Sequence, residues 1–204
     1  DPITVAPLWA DSVSLAALQA RALLDAGKAT EADLAEVAAR SRKSALDNPN
    51  AQLAWDRPAA ELLEADYHIA PLRKSDCAPI TDGAACVILA AGDVARSKVS
   101  RPAWIRGIDH RIEPIHLGLR DLTVSESTRI AADKAGVAAG PVDVAELHAP
   151  FSHQELILAE ALGLDDTTSI NPSGGALAAN PMMTAGLIRL GEVATRIWSG
   201  EADR

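Results

Sequence analysis

The apolar residues near the start of the chain recur at the three- and four-residue spacing of an amphipathic helix. Leu15, Leu18 and Leu23 fall on one face of the helix that this spacing predicts over residues 12–26. Gly27 follows at the position where a helix commonly ends in a left-handed residue. The pattern therefore predicts a first helix that buries its leucine face.

A second helix begins after Thr30. Thr30 and Asp33 stand at the spacing of a capping box, in which each side chain receives a hydrogen bond from the other's backbone N–H. The apolar pattern then runs toward Leu46. Residues 50–75 are polar and contain prolines, so we expect an irregular stretch with a short helix over 59–65.

The pattern changes after Gly83, where short apolar runs alternate with helical segments. Such alternation is typical of an α/β domain with a mostly buried mixed sheet. Ser152 is expected to cap the second of three further helices. The predicted strands cover 84–90, 104–112 and 142–147, and the predicted helices cover 125–135, 152–162 and 184–198.

The composition indicates how the core is built and which kinds of partner are disfavoured. Aromatic residues make up only 3% of the chain, so alanine, leucine, isoleucine and valine must build the core. The formal net charge of −9 disfavours nucleic acid and anionic membrane surfaces. Apolar runs stay below the roughly 18 residues needed to span a bilayer, so no membrane span is predicted. The two cysteines, Cys77 and Cys86, suit a reduced cytoplasmic protein, with Cys86 expected in the core.

Four short motifs occur in order along the chain. They are Asn-Pro-Asn-Ala-Gln at 48–52, Asp-Cys-Ala-Pro-Ile-Thr-Asp-Gly-Ala-Ala at 76–85, Glu-Leu-His-Ala-Pro-Phe at 146–151 and Asn-Pro-Ser-Gly-Gly at 171–175. Together they resemble the C-terminal half of thiolases. The third is most similar to the His-Asp-Cys-Phe form of the sterol-carrier-protein type, and the set resembles actinobacterial lipid-transfer proteins, some of which act in steroid degradation.

The resemblance implies a thiolase-like α/β fold, with a mixed sheet and helices on both faces. Residues 1–80 would form a linker and loop region with helices, and 81–204 an incomplete C-terminal domain. This is roughly half of a typical thiolase subunit, and the half that carries the family's nucleophilic cysteine has no counterpart here. We therefore expect a large exposed apolar helix face.

The catalytic residues depart from the family pattern. By resemblance, His148 would polarise a thioester or β-carbonyl oxygen, although a histidine at a strand end is otherwise most simply a core residue. The family's Gly-His-Pro is replaced by Ala179-Asn180-Pro181. Asn180 donates hydrogen bonds but takes no proton at neutral pH, so it retains an oxyanion role and loses the role of base. Ordinary thiolase activity is not expected.

Further residues are candidates for the site or its surroundings. Cys77 lies in the loop before the first predicted strand and is a candidate for contact with a ligand. Ser173, Gly174 and Gly175 are expected to shape the substrate or CoA cavity, with a simple tight turn as the alternative. His153 is expected at the surface or as a cap. Arg40, Arg42 and Lys43 end a helix, where the helix dipole favours cations; a contact with the CoA diphosphate is the second interpretation. Tyr67 is a further candidate acid/base. Pro114 breaks the spacing that the nearby histidines would need for a metal site, so none is predicted.

The expected function is that of a thiolase-superfamily subunit acting on a large, sterol-derived acyl-CoA. The reaction is acyl transfer or retro-aldol cleavage of a C–C bond, and the second needs no cysteine nucleophile. No covalently bound cofactor is expected; a coenzyme A thioester is the substrate. The alternative is a non-catalytic acyl-CoA-binding or scaffold subunit. Either would form a homodimer or a hetero-oligomer with an OB-fold partner.

Overall fold

The structure is a computed structural model that describes residues 5–204; residues 1–4 of the predicted loop region lie outside it. Its helices are α1 Ser12–Asp25, α2 Glu31–Ser44, α3 Ala59–Leu63, α4 Gly92–Lys98, α5 Glu126–Ala135, α6 Ser152–Leu162, α7 Gly175–Ala178 and α8 Ala185–Ser199. Short 3-10 turns occupy Ala6–Leu8, Ala45–Asp47, Lys74–Asp76, Leu117–Leu119 and Val137–Ala139. None of the helices within residues 5–204 is long and apolar enough to cross a membrane.

Local signals set the ends of the helices. The capping box before α2 is confirmed: the Thr30 amide donates to Asp33 Oδ2 at 2.7 Å, and the Asp33 amide donates to Thr30 Oγ1 at 3.3 Å. The glycines predicted to end α5, α6 and α8 all adopt the left-handed conformation that a side chain disfavours. The predicted cap of α6 is wrong. Phe151 holds the cap position, and the Ser152 hydroxyl instead donates to Asp76 Oδ1 at 2.7 Å.

The face that α1 buries differs in part from the predicted one: Leu23 is buried as predicted, and Leu18 is not. Leu18 is 52% exposed, and the packed face is built mainly from alanines. The fully or nearly buried residues of α1 are Ala16, Ala17, Ala20 and Leu23. Small side chains allow a neighbouring element to approach the helix closely, so the contact face follows the alanines and leaves a leucine outside.

Four short strands form two separate pairs among the described residues. β1, Tyr67–Ile69, runs antiparallel to β2, Leu72–Arg73. β3, Val144–Ala145, runs parallel to β4, Ser169–Ile170, and falls inside the predicted strand 142–147. The helix α6 connects β3 to β4, as in a parallel crossover. The structure is therefore helix-rich, with both parallel and antiparallel pairing.

The predicted strands at 84–90 and 104–112 are wrong for the described structure. Both segments are non-helical chain without a paired neighbour, and α4 lies between them. Ile88 is 90% exposed and Ile108 is 86% exposed. Cys86 is also exposed rather than a core residue. A strand is defined by the neighbour it pairs with, and a short apolar run does not supply that neighbour.

Two apolar clusters hold the helices together. The first joins α1, the start of α2, β2 and α6, and the second joins α2, α3 and α7. Both clusters draw side chains from either side of residue 80, and the division into 1–80 and 81–204 stays a prediction. On α8, Leu187, Leu190 and Trp198 remain 42%, 55% and 53% exposed, which is the kind of apolar helix face that the sequence led us to expect.

Candidate functional site

A cavity of about 850 Å³ lies between the α2–α3 region and the segment that follows β3. The residues that line it include Arg42, Trp55, Cys77, His148, Phe151 and Asn180. Three of the predicted site residues, Cys77, His148 and Asn180, therefore share one cavity. This volume falls within the range of about 300–1,000 Å³ found for small-molecule sites.

His148 stands three residues after β3, with Pro150 close behind it. The backbone before it is fixed, because the Leu147 amide donates to Asn171 Oδ1 at 2.7 Å inside the protein. The ring itself is accessible to the cavity. Desolvation first, and the nearby positive charge of Arg189 second, lower the pKa of His148. The imidazole is therefore neutral at pH 7 and has one nitrogen that donates and one that accepts.

Asn180 has a buried side-chain oxygen without a hydrogen-bond partner among residues 5–204. The residue as a whole is only 8% exposed. Its backbone N–H donates to Thr81 Oγ1 at 2.9 Å, which ties the residue to the loop before residue 84. A buried acceptor without a partner is costly, and a hydrogen-bond donor on a ligand in the cavity would satisfy it.

Cys77 is held close to the His148 segment. The Ala78 amide donates to the Pro150 carbonyl at 2.7 Å, and Cys77 forms an isolated bridge with Phe151. Burial first, and the neighbouring Asp76 carboxylate second, raise the pKa of the Cys77 thiol to about 11. Cys77 is therefore a neutral thiol at physiological pH, and a neutral thiol is a poor nucleophile.

The Ser173-Gly174-Gly175 loop lies away from that cavity. Ser173 and Gly175 line a second cavity of about 800 Å³. Gly174 has φ +92° and packs against the end of α2, where an added Cβ would lie 3.0 Å from the Ser41 carbonyl and 2.7 Å from the Cβ of Ala45, in the 3-10 turn that follows. The loop leads directly into α7 and so fixes the approach to Asn180. A direct role of the loop in binding substrate or CoA stays a prediction.

A buried ion pair supports the segment before His148 and the Ser173-Gly174-Gly175 loop. Glu146, whose side chain is fully buried, accepts from Arg189 Nη1 at 2.6 Å and from the Ser173 amide and hydroxyl at 2.9 and 2.7 Å. Arg189 also donates to Ser173 Oγ at 2.8 Å. Sequence reasoning missed this pair, because an arginine on an amphipathic helix is usually solvated. The only sequence signal was the position of Glu146, two residues before His148.

Other candidate residues lie in surroundings that differ from those expected from the sequence. His153 is fully buried rather than at the surface: its Nε2 contacts Gln19 Oε1 at 3.2 Å, and burial lowers its pKa to about 4. The Tyr67 hydroxyl donates to the Glu31 carboxylate at 2.8 Å and is thereby engaged outside the cavity. Arg40 pairs with Glu155, and Lys43 pairs with Asp56 at 3.0 Å.

The chain is similar to known thiolase-type proteins, although no protein-family model matches it. An acetyl-CoA acetyltransferase of Methanothermobacter thermautotrophicus is 30% identical over 216 residues, which cover 94% of this chain and 56% of that protein. Sterol carrier protein 2 of Gallus gallus is 28% identical over 187 residues, which cover 78% of this chain and 34% of that protein. A solved structure described as an Ltp2-ChsH2(DUF35) aldolase superposes with a TM-score of 0.76 at 20% identity, covering 90% of this chain and 55% of that one.

These comparisons confirm the resemblance and the fold class predicted from the motifs. The chain is similar to thiolase-type proteins, among them sterol carrier protein 2, and its α/β fold is thiolase-like. It spans about half or less of the length of the curated relatives it matches.

Proposed function

We propose that this chain supplies a general base and a carbonyl-polarising group to an active site that cleaves a C–C bond of an acyl-CoA by a retro-aldol reaction. The observation that carries the proposal is the shared cavity of His148 and Asn180, in which the nearby thiol, Cys77, is held in its neutral form. Thiolysis requires a thiolate to carry the acyl group, whereas a retro-aldol reaction requires only proton transfer and polarisation of a carbonyl.

In the proposed reaction, His148 takes the proton of the β-hydroxyl group of a 3-hydroxyacyl thioester. The O–H electron pair then forms the new carbonyl, and the bond between the α- and β-carbons breaks. Its electron pair moves onto the α-carbon and the thioester oxygen as an enolate, to which Asn180 donates a hydrogen bond. The proton returns to the α-carbon, so the products are a ketone or aldehyde and a shortened acyl-CoA.

The lining of the cavity favours a large apolar acyl group. Trp55 and Phe151 lie on its walls, and Ile80, Met182 and Met183 line it with side chains that are 92%, 64% and 95% exposed. Flexible methionines adapt to irregular apolar ligands. We propose a bulky acyl-CoA of the sterol-derived type as the substrate.

A partner subunit is part of the proposal. The structural neighbour is described as an assembly of two named components, Ltp2 and ChsH2(DUF35). The present chain carries exposed apolar residues on α8 and along residues 80–119, which suit burial by a second subunit. We propose a hetero-oligomer on this ground.

The test uses bulky 3-hydroxyacyl-CoA thioesters and follows the release of ketone and shortened acyl-CoA by mass spectrometry. We expect the wild-type protein to release both products, and His148→Ala and Asn180→Ala each to slow release by about a hundredfold or more. His68→Ala is the matched control, because His68 lines the same cavity at an exposed position and has no assigned role. Binding of the thioester without any product would favour the non-catalytic binding subunit instead.

A further inference from the structure

The guanidinium of Arg42 lies in the wall of the candidate cavity and is almost completely removed from solvent. Arg42 is only 3% exposed. Burial lowers its pKa to about 10, so the group still carries its positive charge at pH 7. A charge in such a position requires compensation by the protein or by a ligand.

The protein supplies little of that compensation. Arg42 Nε is buried without a hydrogen-bond partner among residues 5–204, and Nη2 makes one long contact, 3.4 Å, to the Cys77 carbonyl. The Trp55 ring, 5.8 Å from the guanidinium carbon, adds a cation–π contact. The neighbours therefore leave much of the donor capacity of Arg42 unused.

The other buried arginines of the described chain show how this protein normally treats such a group. Arg73 pairs with the Glu31 carboxylate at 2.7 Å, and Arg189 pairs with Glu146 at 2.6 Å. No carboxylate within residues 5–204 forms an ion pair with Arg42. Arg42 is thus a buried arginine that has no carboxylate partner within residues 5–204. It lines a cavity large enough for a ligand.

From this geometry we infer that Arg42 binds a carboxylate on the acyl part of the ligand. The inference rests on the proposed function, since it assigns the substrate class of the same cavity. A planar guanidinium matches the two oxygens of a carboxylate, and the pairing brings one negative charge to one positive charge. The favoured substrates are therefore CoA thioesters whose acyl group carries a second, free carboxylate.

The phosphates of coenzyme A fit Arg42 less well than a carboxylate. They carry several charges and are strongly hydrated, so burying them at an enclosed position is costly. The cavity offers them exposed cations instead: Lys74 and Arg57, whose side chain is 58% exposed. Arg57 also lies over the Trp55 ring, at 5.6 Å, but it is exposed and pairs with Glu61 at 3.5 Å.

The test is an equilibrium binding measurement that requires no turnover. A series of mono-CoA thioesters of α,ω-dicarboxylic acids of increasing length is compared with the terminal amides of the same compounds, by titration calorimetry. We expect the wild-type protein to bind the best acid about tenfold to hundredfold more tightly than its amide. Arg42→Gln should bring this ratio close to one, and Arg57→Gln should leave it unchanged.

Several results would overturn the inference. They are equal binding of acid and amide by the wild type, absence of binding throughout the series, and an equal loss of affinity for acid, amide and free CoA in Arg42→Gln. The last would assign Arg42 to the CoA moiety. The wild-type comparison decides the matter even if Arg42→Gln does not fold. If the protein preferred the acid over the amide but cleaved no C–C bond, the inference on Arg42 would stand and the proposed reaction would be wrong.

Discussion

Arg189 Nη1 lies 2.6 Å from Glu146 Oε2, and both side chains are almost fully buried. The pair joins α8 to the segment that leads from β3 to His148. It also holds Ser173, which accepts a hydrogen bond from Arg189 and donates one to Glu146. One buried ion pair therefore supports both the histidine segment and the glycine loop that precedes Asn180.

Removing one member of this pair should strongly destabilise the protein. We expect Arg189→Met to lower the free energy of unfolding by about 3–5 kcal/mol, because the Glu146 carboxylate remains buried without its cation. Urea denaturation followed by circular dichroism measures the loss. The double variant Glu146→Leu/Arg189→Met should lose less than the single one, since no charge is left unpaired; a larger loss would contradict this account of the pair.

The pH dependence of the reaction should follow the neutral form of His148. Burial and Arg189 place the pKa of this histidine below its ordinary value of 6.5. The activity needs an unprotonated imidazole, so kcat/KM should be constant near neutral pH and fall as the pH drops below 6.5. An acid limb centred above 6.5, or a rate that rises toward acid pH, would contradict the assigned role.

The two cysteines should differ sharply toward alkylating reagents. Cys86 is exposed, whereas Cys77 is part-buried with its pKa raised to about 11. Iodoacetamide reacts with thiolates, so at pH 7.5 peptide mass spectrometry should find Cys86 labelled well before Cys77. Cys77→Ala should retain the C–C cleavage activity. Preferential labelling of Cys77, or loss of activity in Cys77→Ala, would point to a nucleophilic role that the structure does not support.

Gly174 should not tolerate a side chain. It has φ +92°, and a Cβ there would lie 2.7 Å from the Cβ atoms of Ala45 and Ala178. We expect Gly174→Ala to destabilise the fold by about 2 kcal/mol or more, from backbone strain and overpacking together. Gly186→Ala is the matched control: nothing lies within 4 Å of its added Cβ, and it lies in α8. Its thermal midpoint should stay the same or rise.

Six of the eight helices in the described residues were predictable because their signals are local, whereas α4 and α7 were not predicted. Thr30 and Asp33 specify the start of α2, and the glycines at 136, 163 and 200 mark the ends of three other helices. The segments 84–90 and 104–112 have the apolar composition of strands, but pairing depends on a distant neighbour that composition does not describe. The same limit applies to α1, where packing selected the alanine face over Leu18.

The candidate site was predictable only in part. Resemblance to thiolases identified His148, Asn180 and Cys77, and the structure brings these three to one cavity. The resemblance gave no signal for Trp55, and for Arg42 it suggested only a contact with CoA at a helix end. The importance of Arg42 comes from its burial and from the missing carboxylate, which are tertiary properties. His153 was misjudged for the same reason, since its complete burial depends on helices far apart in sequence.

The requirement for free coenzyme A tests the central claim most directly. A bulky 3-hydroxyacyl-CoA is incubated with the protein in the absence of free CoA, and the matching 3-ketoacyl-CoA is incubated in its presence. Our account predicts ketone and shortened acyl-CoA from the hydroxyacyl substrate, and no thiolysis of the ketoacyl substrate above the uncatalysed rate. Thiolysis of the ketoacyl substrate, with the hydroxyacyl substrate left intact, would contradict the account.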